Sequence, residues 1–249
     1  PFVDRFVVNS RYYAAEMSQM LAIPQEQIDI APLTIDTSDF EQPALPDRAA
    51  RLKSSRDRTI GYLARLAPEK GLHVLVEAFR QLKAQPGTDH IRLKIAGWLG
   101  AHRREFVDEQ FRLLREAGLA DAFEHVGEVD RAGKVAFLHD IDVLCVPTTY
   151  RDPKGLFALE ALAAGTPVVL PAHGGFPELI DRLGGGRLVP PENPQALAVA
   201  LAELLAGDDE RLHLGETGRT ATLAHAGTKA LRDTTLATYA RLLAADASG

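Results

Sequence analysis

The chain has 249 residues, enough for one large domain and a fraction of a second. An apolar share of 46% with 25% charged residues is ordinary for a globular chain and excludes the disordered and fibrous classes. A net charge of −6 without any Lys/Arg run argues against a broad nucleic-acid or anionic-membrane surface, because such surfaces need clustered cations; only local basic sites remain open. The single cysteine, Cys145, forms no internal disulfide, is expected to be buried, and is compatible with a reducing compartment. No stretch approaches the ~20 apolar residues that span a bilayer, so no transmembrane segment is expected and a cytoplasmic location is. The sequence opens at Pro1 without a Met and runs directly into an apolar stretch, 5–8, from which a fragment is expected.

In chain order, the sequence predicts a strand at 6–8, an amphipathic helix over 10–21 with Ser10 as its N-cap, and a strand at 28–31 that Pro32 ends. From 39 to 58 the chain is polar, carries Pro43 and Pro46 and shows neither period, which is the composition of a linker. Apolar runs then alternate with amphipathic helical stretches: strands at 59–63, 91–96, 123–126, 143–146, 168–170 and 186–189, helices at 72–83, 103–117, 132–139, 156–164, 177–182 and 194–205. Strands that are apolar without alternation are covered on both faces, so this series predicts an α/β fold with a doubly wound parallel sheet. Two final helices, 211–225 and 228–245, have no strand after them and must pack outside the sheet or on something absent.

In such sheets ligands sit beyond the carboxyl ends of the strands, so the loops that follow strands carry the search. The first reads Ala64-Arg65-Leu66-Ala67-Pro68-Glu69-Lys70-Gly71. Arg65 and Lys70 stand between a strand end and a helix start, where two cations and the helix terminus would converge on a phosphate; a pair of solvated surface charges is the other reading. The second runs Pro147-Thr148-Thr149-Tyr150-Arg151-Asp152-Pro153-Lys154-Gly155-Leu156-Phe157-Ala158-Leu159-Glu160-Ala161. Gly155 opens a helix whose free amides offer a second anion site. Glu160 lies in an otherwise apolar helix, where a carboxylate is costly unless something specific binds it; the vicinal hydroxyls of a ribose would do so, and so would water or a backbone cap. Asp152, eight residues earlier, either faces a cationic transition state or simply opens a turn. His173, in the loop Pro171-Ala172-His173-Gly174-Gly175-Phe176-Pro177-Glu178, reaches a ligand or is exposed. The eight histidines show no ligand pairing for a metal, and no Gly-x-Gly-x-x-Gly or Walker lysine loop is present.

Together these segments resemble the C-terminal, donor-binding domain of the retaining glycosyltransferase family 4, the glycosyl transferases group 1, within the GT-B superfamily. The resemblance rests on 64–71, Leu93-Lys94-Ile95-Ala96-Gly97, Val126-Gly127, 142–147, 155–167 and Gly174-Gly175-Phe176-Pro177-Glu178, in order, over about 150 residues. The resemblance implies a Rossmann-like GT-B half at 46–225, the end of the N-terminal (acceptor) domain with its linker at 1–45, and a helix at 226–249 that returns to that N-terminal domain. By position, Arg65 and Lys70 match the basic pair on the donor diphosphate, and the amides of Gly155, Leu156 and Phe157 match its further contacts. Glu160 matches the acid on the nucleotide ribose, and Gly97 and Val126 fall on loops that flank the base. Asp152 matches the first, catalytic acid, where the family usually has Glu, and Ala64 stands where glycine is commoner. The resemblance further implies transfer of a sugar with retention from a UDP, GDP or ADP type donor to an acceptor not named by the sequence. No metal or other cofactor is implied, and the fragment alone is expected to be inactive. The alternatives are a non-catalytic nucleotide-sugar-binding module and, more distantly, a flavodoxin-like or dehydrogenase domain.

Overall fold

The computed structural model describes residues 3–41 and 56–246. Its first part is a small unit of β1 (Phe6–Val8), α1 (Arg11–Leu21) and β2 (Ile28–Ile30), with the strands parallel and Phe6 opposite Ile28. Ser10 caps α1 as its sequence position predicts, its hydroxyl accepting the Tyr13 amide at 3.1 Å. Two further amides of the first turn are satisfied from outside the unit: Arg11 and Tyr12 donate to the two carboxylate oxygens of Glu178, each at 3.1 Å. Ser38–Phe40 forms a short 3-10 turn. Most of the predicted linker, 42–55, lies outside the described residues, as does the division drawn at residues 45 and 46.

The main body alternates strand and helix. β3 (Arg58–Leu63), α2 (Leu72–Lys83), β4 (Ile91–Ala96), α3 (Arg104–Glu116), β5 (Phe123–Gly127) and α4 (Arg131–Asp140) build one half. β6 (Val143–Cys145), α5 (Leu156–Ala163), β7 (Val168–Pro171), α6 (Phe176–Leu183), β8 (Gly186–Val189) and α7 (Pro194–Ala206) build the other. The strands pair in parallel in the order β5-β4-β3-β6-β7-β8. The chain therefore winds outward from β3 in one direction and from β6 in the other, and the crevice between the ends of β3 and β6 is the topological switch point where ligands bind in such sheets. Both loops singled out in the sequence leave the sheet there.

Burial explains the strand pattern. Ile60, Leu93, Ile95, Val143, Leu144 and Val169 are fully buried between helical layers, each contributing about 2 kcal/mol by leaving water. The helix predicted over 103–117 divides: Ala101–Arg103 is a 3-10 turn and α3 begins at Arg104. The late helices both find partners. α8 (Asp208–His225) packs on α5, α6, α7 and β8, while α9 (Thr228–Asp246) reaches back to the small unit, with Arg241 3.2 Å from Asp29.

An ion network with Arg211 buried at its centre ties α8 to the amino ends of β3 and β6, at the opposite end of these strands from the switch point. Arg211, fully buried, donates to Asp208 at 2.7 Å and to the Leu205 carbonyl at 2.9 Å. Asp208 also accepts from Arg58 at 2.9 Å, and Asp142 accepts the Thr59 amide at 2.7 Å. Among the described residues no helix is long and apolar enough to cross a membrane.

Candidate functional site

The loop after β3 is shaped from beneath by Tyr62, which is fully buried and donates its hydroxyl to the Arg65 carbonyl at 3.1 Å, with the Lys70 carbonyl at 3.4 Å. The loop after β6 is stitched to it: the Thr149 amide donates to the Glu69 carbonyl at 3.1 Å. At Gly71 a Cβ would come 1.7 Å from the Pro147 carbonyl oxygen, and its φ of +74° is left-handed. Only glycine lets the two loops meet so closely.

Lys70 lies inside this junction. Its ammonium, on a side chain 12% exposed, donates to Asp152 Oδ2 at 2.8 Å and to the Tyr150 hydroxyl at 2.6 Å, and sits 4.7 Å from the centroid of the Tyr150 ring and 5.6 Å from that of Phe157. Tyr150 in turn donates to Asp152 Oδ2 at 2.6 Å. The other carboxylate oxygen, Oδ1, accepts the amides of Lys154 at 2.9 Å and Gly155 at 3.2 Å. Burial pushes the Asp152 carboxyl up, but the bonds from Lys70, Tyr150 and the Lys154 amide outweigh it and hold the pKa below the ordinary carboxylate range. Asp152 is thus an ionised, buried acid with both oxygens occupied. Of the three amides assigned to anion contact, that of Gly155 is spent on Asp152, whereas those of Leu156 and Phe157 have no partner among the described residues. They are the bare first donors of α5.

Arg65 does not join this cluster. Its side chain is 57% exposed and lies 3.5 Å from Glu69, which also approaches Arg103 at 3.8 Å. It stands at the lip of the same loop, a solvated cation beside a buried one.

Glu160 faces a different wall of the crevice. One of its oxygens, Oε1, takes a hydrogen bond from Lys134 of α4. The pair lines a cleft of about 220 Å³, together with Leu156, Arg131, Asp36 and Asp39. Arg131 is held across that cleft by Asp39 and by Asp36, the latter at 2.6 Å. Leu156 links the two walls, because it opens α5 directly after Gly155, whose amide Asp152 holds, and also borders the cleft.

Gly97 and Val126 lie at the ends of β4 and β5, where the Gly97 amide donates to the Gly127 carbonyl at 2.8 Å. At φ +141°, a Cβ on Gly97 would fall 1.8 Å from the Ala64 carbonyl oxygen. Val126 is exposed. Gly97 thus packs against the start of the Arg65 loop, and among the described residues no hydrogen bond joins Gly97 or Val126 to Lys70 or Glu160. His173 Nε2 donates to the Thr148 carbonyl at 2.9 Å, so its ring braces the loop after β6. Among the described residues no group of three His, Cys, Asp or Glu side chains is placed to hold a metal ion.

Residues 45–221, most of the chain, match the family described as glycosyl transferases group 1. The chain belongs to that family. Its relatives include WcaL of Salmonella typhimurium (strain LT2), named as a colanic acid biosynthesis glycosyltransferase, 33% identical over 84% of this chain and 49% of its own length. Among solved structures, the sucrose-phosphate synthase from Thermosynechococcus elongatus superposes with a TM-score of 0.80 at 27% identity, covering 96% of this chain and 58% of that one. Anabaena HepE, solved in complex with UDP, superposes with a TM-score of 0.82 at 19% identity, over 96% of this chain and 64% of that one, and shares the fold. The chain spans about half the length of the curated relatives it matches. This group 1 chain is therefore an α/β domain of the GT-B type with a Rossmann-like sheet, as its sequence predicts.

Within this group 1 domain, sequence reasoning missed four side chains that the crevice uses. Tyr62 and Tyr150 act through loop contacts that only the folded chain creates. Lys134 and Arg131 belong to the first turn of an amphipathic helix, where exposed cations are the rule and nothing in the sequence marks them.

Proposed function

We propose that this chain is the donor-binding half of a retaining glycosyltransferase of the family 4 type, acting on a nucleotide-diphosphate sugar. The observation that carries this reading is the buried Lys70 ammonium at the opening of α5, next to the partnerless amides of Leu156 and Phe157, at the switch point of the sheet. A diphosphate entering there meets the ammonium, two backbone donors and the exposed guanidinium of Arg65. Positive charge at that point would stabilise the departing diphosphate without a metal. Glu160 would accept a ribose hydroxyl, while Gly97 and Val126 would border the base.

Asp152 is the acid we assign to the sugar end. Both its oxygens have partners, and the diphosphate competes with it for Lys70. Drawing the ammonium toward phosphate would leave Oδ2 with the Tyr150 hydroxyl as its remaining donor and its charge less neutralised, able to face the sugar as positive charge develops at its reacting carbon. We assign residues 1–45 to the end of an N-terminal domain that supplies the acceptor site, 46–225 to the donor domain and 226–249 to a helix returning to the first. The Arg241 to Asp29 contact supports this division. In this reading the acceptor chemistry resides in an N-terminal domain that this chain does not itself provide, the chain alone does not turn over, and the whole protein works in the cytoplasm.

Isothermal titration calorimetry of the chain with UDP, GDP and ADP, each against its nucleoside, tests the reading. At least one diphosphate is expected to bind more tightly than its nucleoside, by about tenfold or more, since charge-assisted bonds to phosphate contribute roughly 1.5–3 kcal/mol. No heat from any of the three at millimolar concentration would overturn it.

A further inference from the structure

The cleft beside Glu160 contains a cation that the donor reading leaves without a task. We propose that Lys134 is a specificity residue that, paired with Glu160, selects a vicinal diol, and so distinguishes ribonucleotides from 2′-deoxynucleotides. The inference rests on the donor reading and deepens it.

The cap of α4 sets the position of this cation. Asp130 accepts the Gly133 amide at 2.7 Å on its side chain and the Lys134 amide at 2.8 Å on its carbonyl, which fixes the first turn of the helix. Arg131 and Lys134, three residues apart, then share one face of that turn. Arg131 is taken up by Asp36 and Asp39 across the cleft. The Lys134 ammonium is directed instead to Glu160, its one side-chain hydrogen-bond partner among the described residues.

The consequence is an asymmetric carboxylate. Oε1 of Glu160 is occupied by Lys134, while Oε2 has no partner among the described residues and is not sealed from the cleft. An ammonium has three protons, and the Glu160 bond uses one. Side by side, the pair offers one strong acceptor and spare donors. A hydroxyl is both donor and acceptor, so two adjacent hydroxyls complete the set: one donates to Oε2, its neighbour accepts from Nζ. A single hydroxyl satisfies only half of it, and leaving a charged group short of a partner is what makes polar sites discriminating. Side chains 31% and 20% exposed, for Lys134 and Glu160, leave both within reach of a ligand while limiting competition from water.

The test compares UDP, GDP and ADP with their 2′-deoxy counterparts by calorimetry on the intact chain and on Lys134→Met and Lys134→Arg, with thermal unfolding to verify that each variant is folded. The unsubstituted chain is expected to prefer the ribose form by about tenfold, the effect of one charge-assisted hydrogen bond. Lys134→Met should weaken the ribonucleotide by about that factor and the 2′-deoxy form by less than about twofold, so that the preference collapses. Lys134→Arg, which keeps charge and donors, should restore most of it. Equal weakening of both forms by Lys134→Met, or a preference that survives it, would overturn the assignment and leave the donor reading intact. An unsubstituted chain that binds none of the six nucleotides would overturn both.

Discussion

Tyr150 and Asp152 are hydrogen-bonded to each other and to Lys70, and these partners and their burial set how the phenol and the carboxyl respond to pH. Burial and the bond to Asp152 push the Tyr150 phenol up, so it stays a donor throughout the physiological range. The Asp152 carboxyl is held below its ordinary 3.8, because Lys70, Tyr150 and the Lys154 amide favour its charged form more than burial opposes it. A group with a depressed pKa in the folded state stabilises the fold fully above its unfolded value, and that contribution is lost as the pH falls through the folded one. Asp152 should therefore stabilise the chain at neutral pH and cease to do so on acidification below 3.8. Urea unfolding of the wild type and of Asp152→Asn along a pH series checks this. The difference in stability between the two should shrink as the pH drops below 3.8, and parallel curves would show that the carboxylate is not held in this way.

Among the elements, α1 has an unusual dependence on a helix far away in sequence. Its Ser10 cap is local and was legible in the residues, but its next two donors are met by Glu178 on α6, in the Gly174-Gly175-Phe176-Pro177-Glu178 segment that also braces Asp152 through the Gly175 amide at 2.9 Å. Glu178 thereby joins the small unit to the site loops. Glu178→Ala should cost α1 about 1–2 kcal/mol of capping and dipole stabilisation. Hydrogen exchange should show faster exchange for α1 amides and no change in β3 and β6. Acceleration spread over the whole sheet would mean that the contact is not local.

Elements also differ in how far their residues disclose them. Strand positions were legible because buried parallel strands leave uninterrupted apolar runs, as at β6 and β7, and their ends fell within a residue or two. Glu160 was legible because a carboxylate among Leu159, Ala161 and Leu162 demands a reason. The packing of α8 was not, since its fully buried Arg211 reads in sequence as an ordinary surface cation on a polar helix. The occupation of the Gly155 amide by Asp152 was equally hidden, because it depends on how Pro153 and Lys154 turn between them.

For the whole molecule, topology decides where function can lie. The ion network of Arg58, Asp142, Asp208 and Arg211 ties down the amino ends of β3 and β6, and the winding of strands away from that pair opens a crevice at their carboxyl ends. The loops at those carboxyl ends hold a cation against the start of a helix, and it is there that a diphosphate is expected to bind. A titration of the isotopically labelled chain with UDP, GDP and ADP, read from the backbone amide resonances, tests this most directly. The largest shifts should come from Leu156 and Phe157, with further changes in the loop through Lys70. Diphosphate binding that leaves those two amides unmoved while shifting residues around Arg211, at the amino ends of the strands, would contradict it.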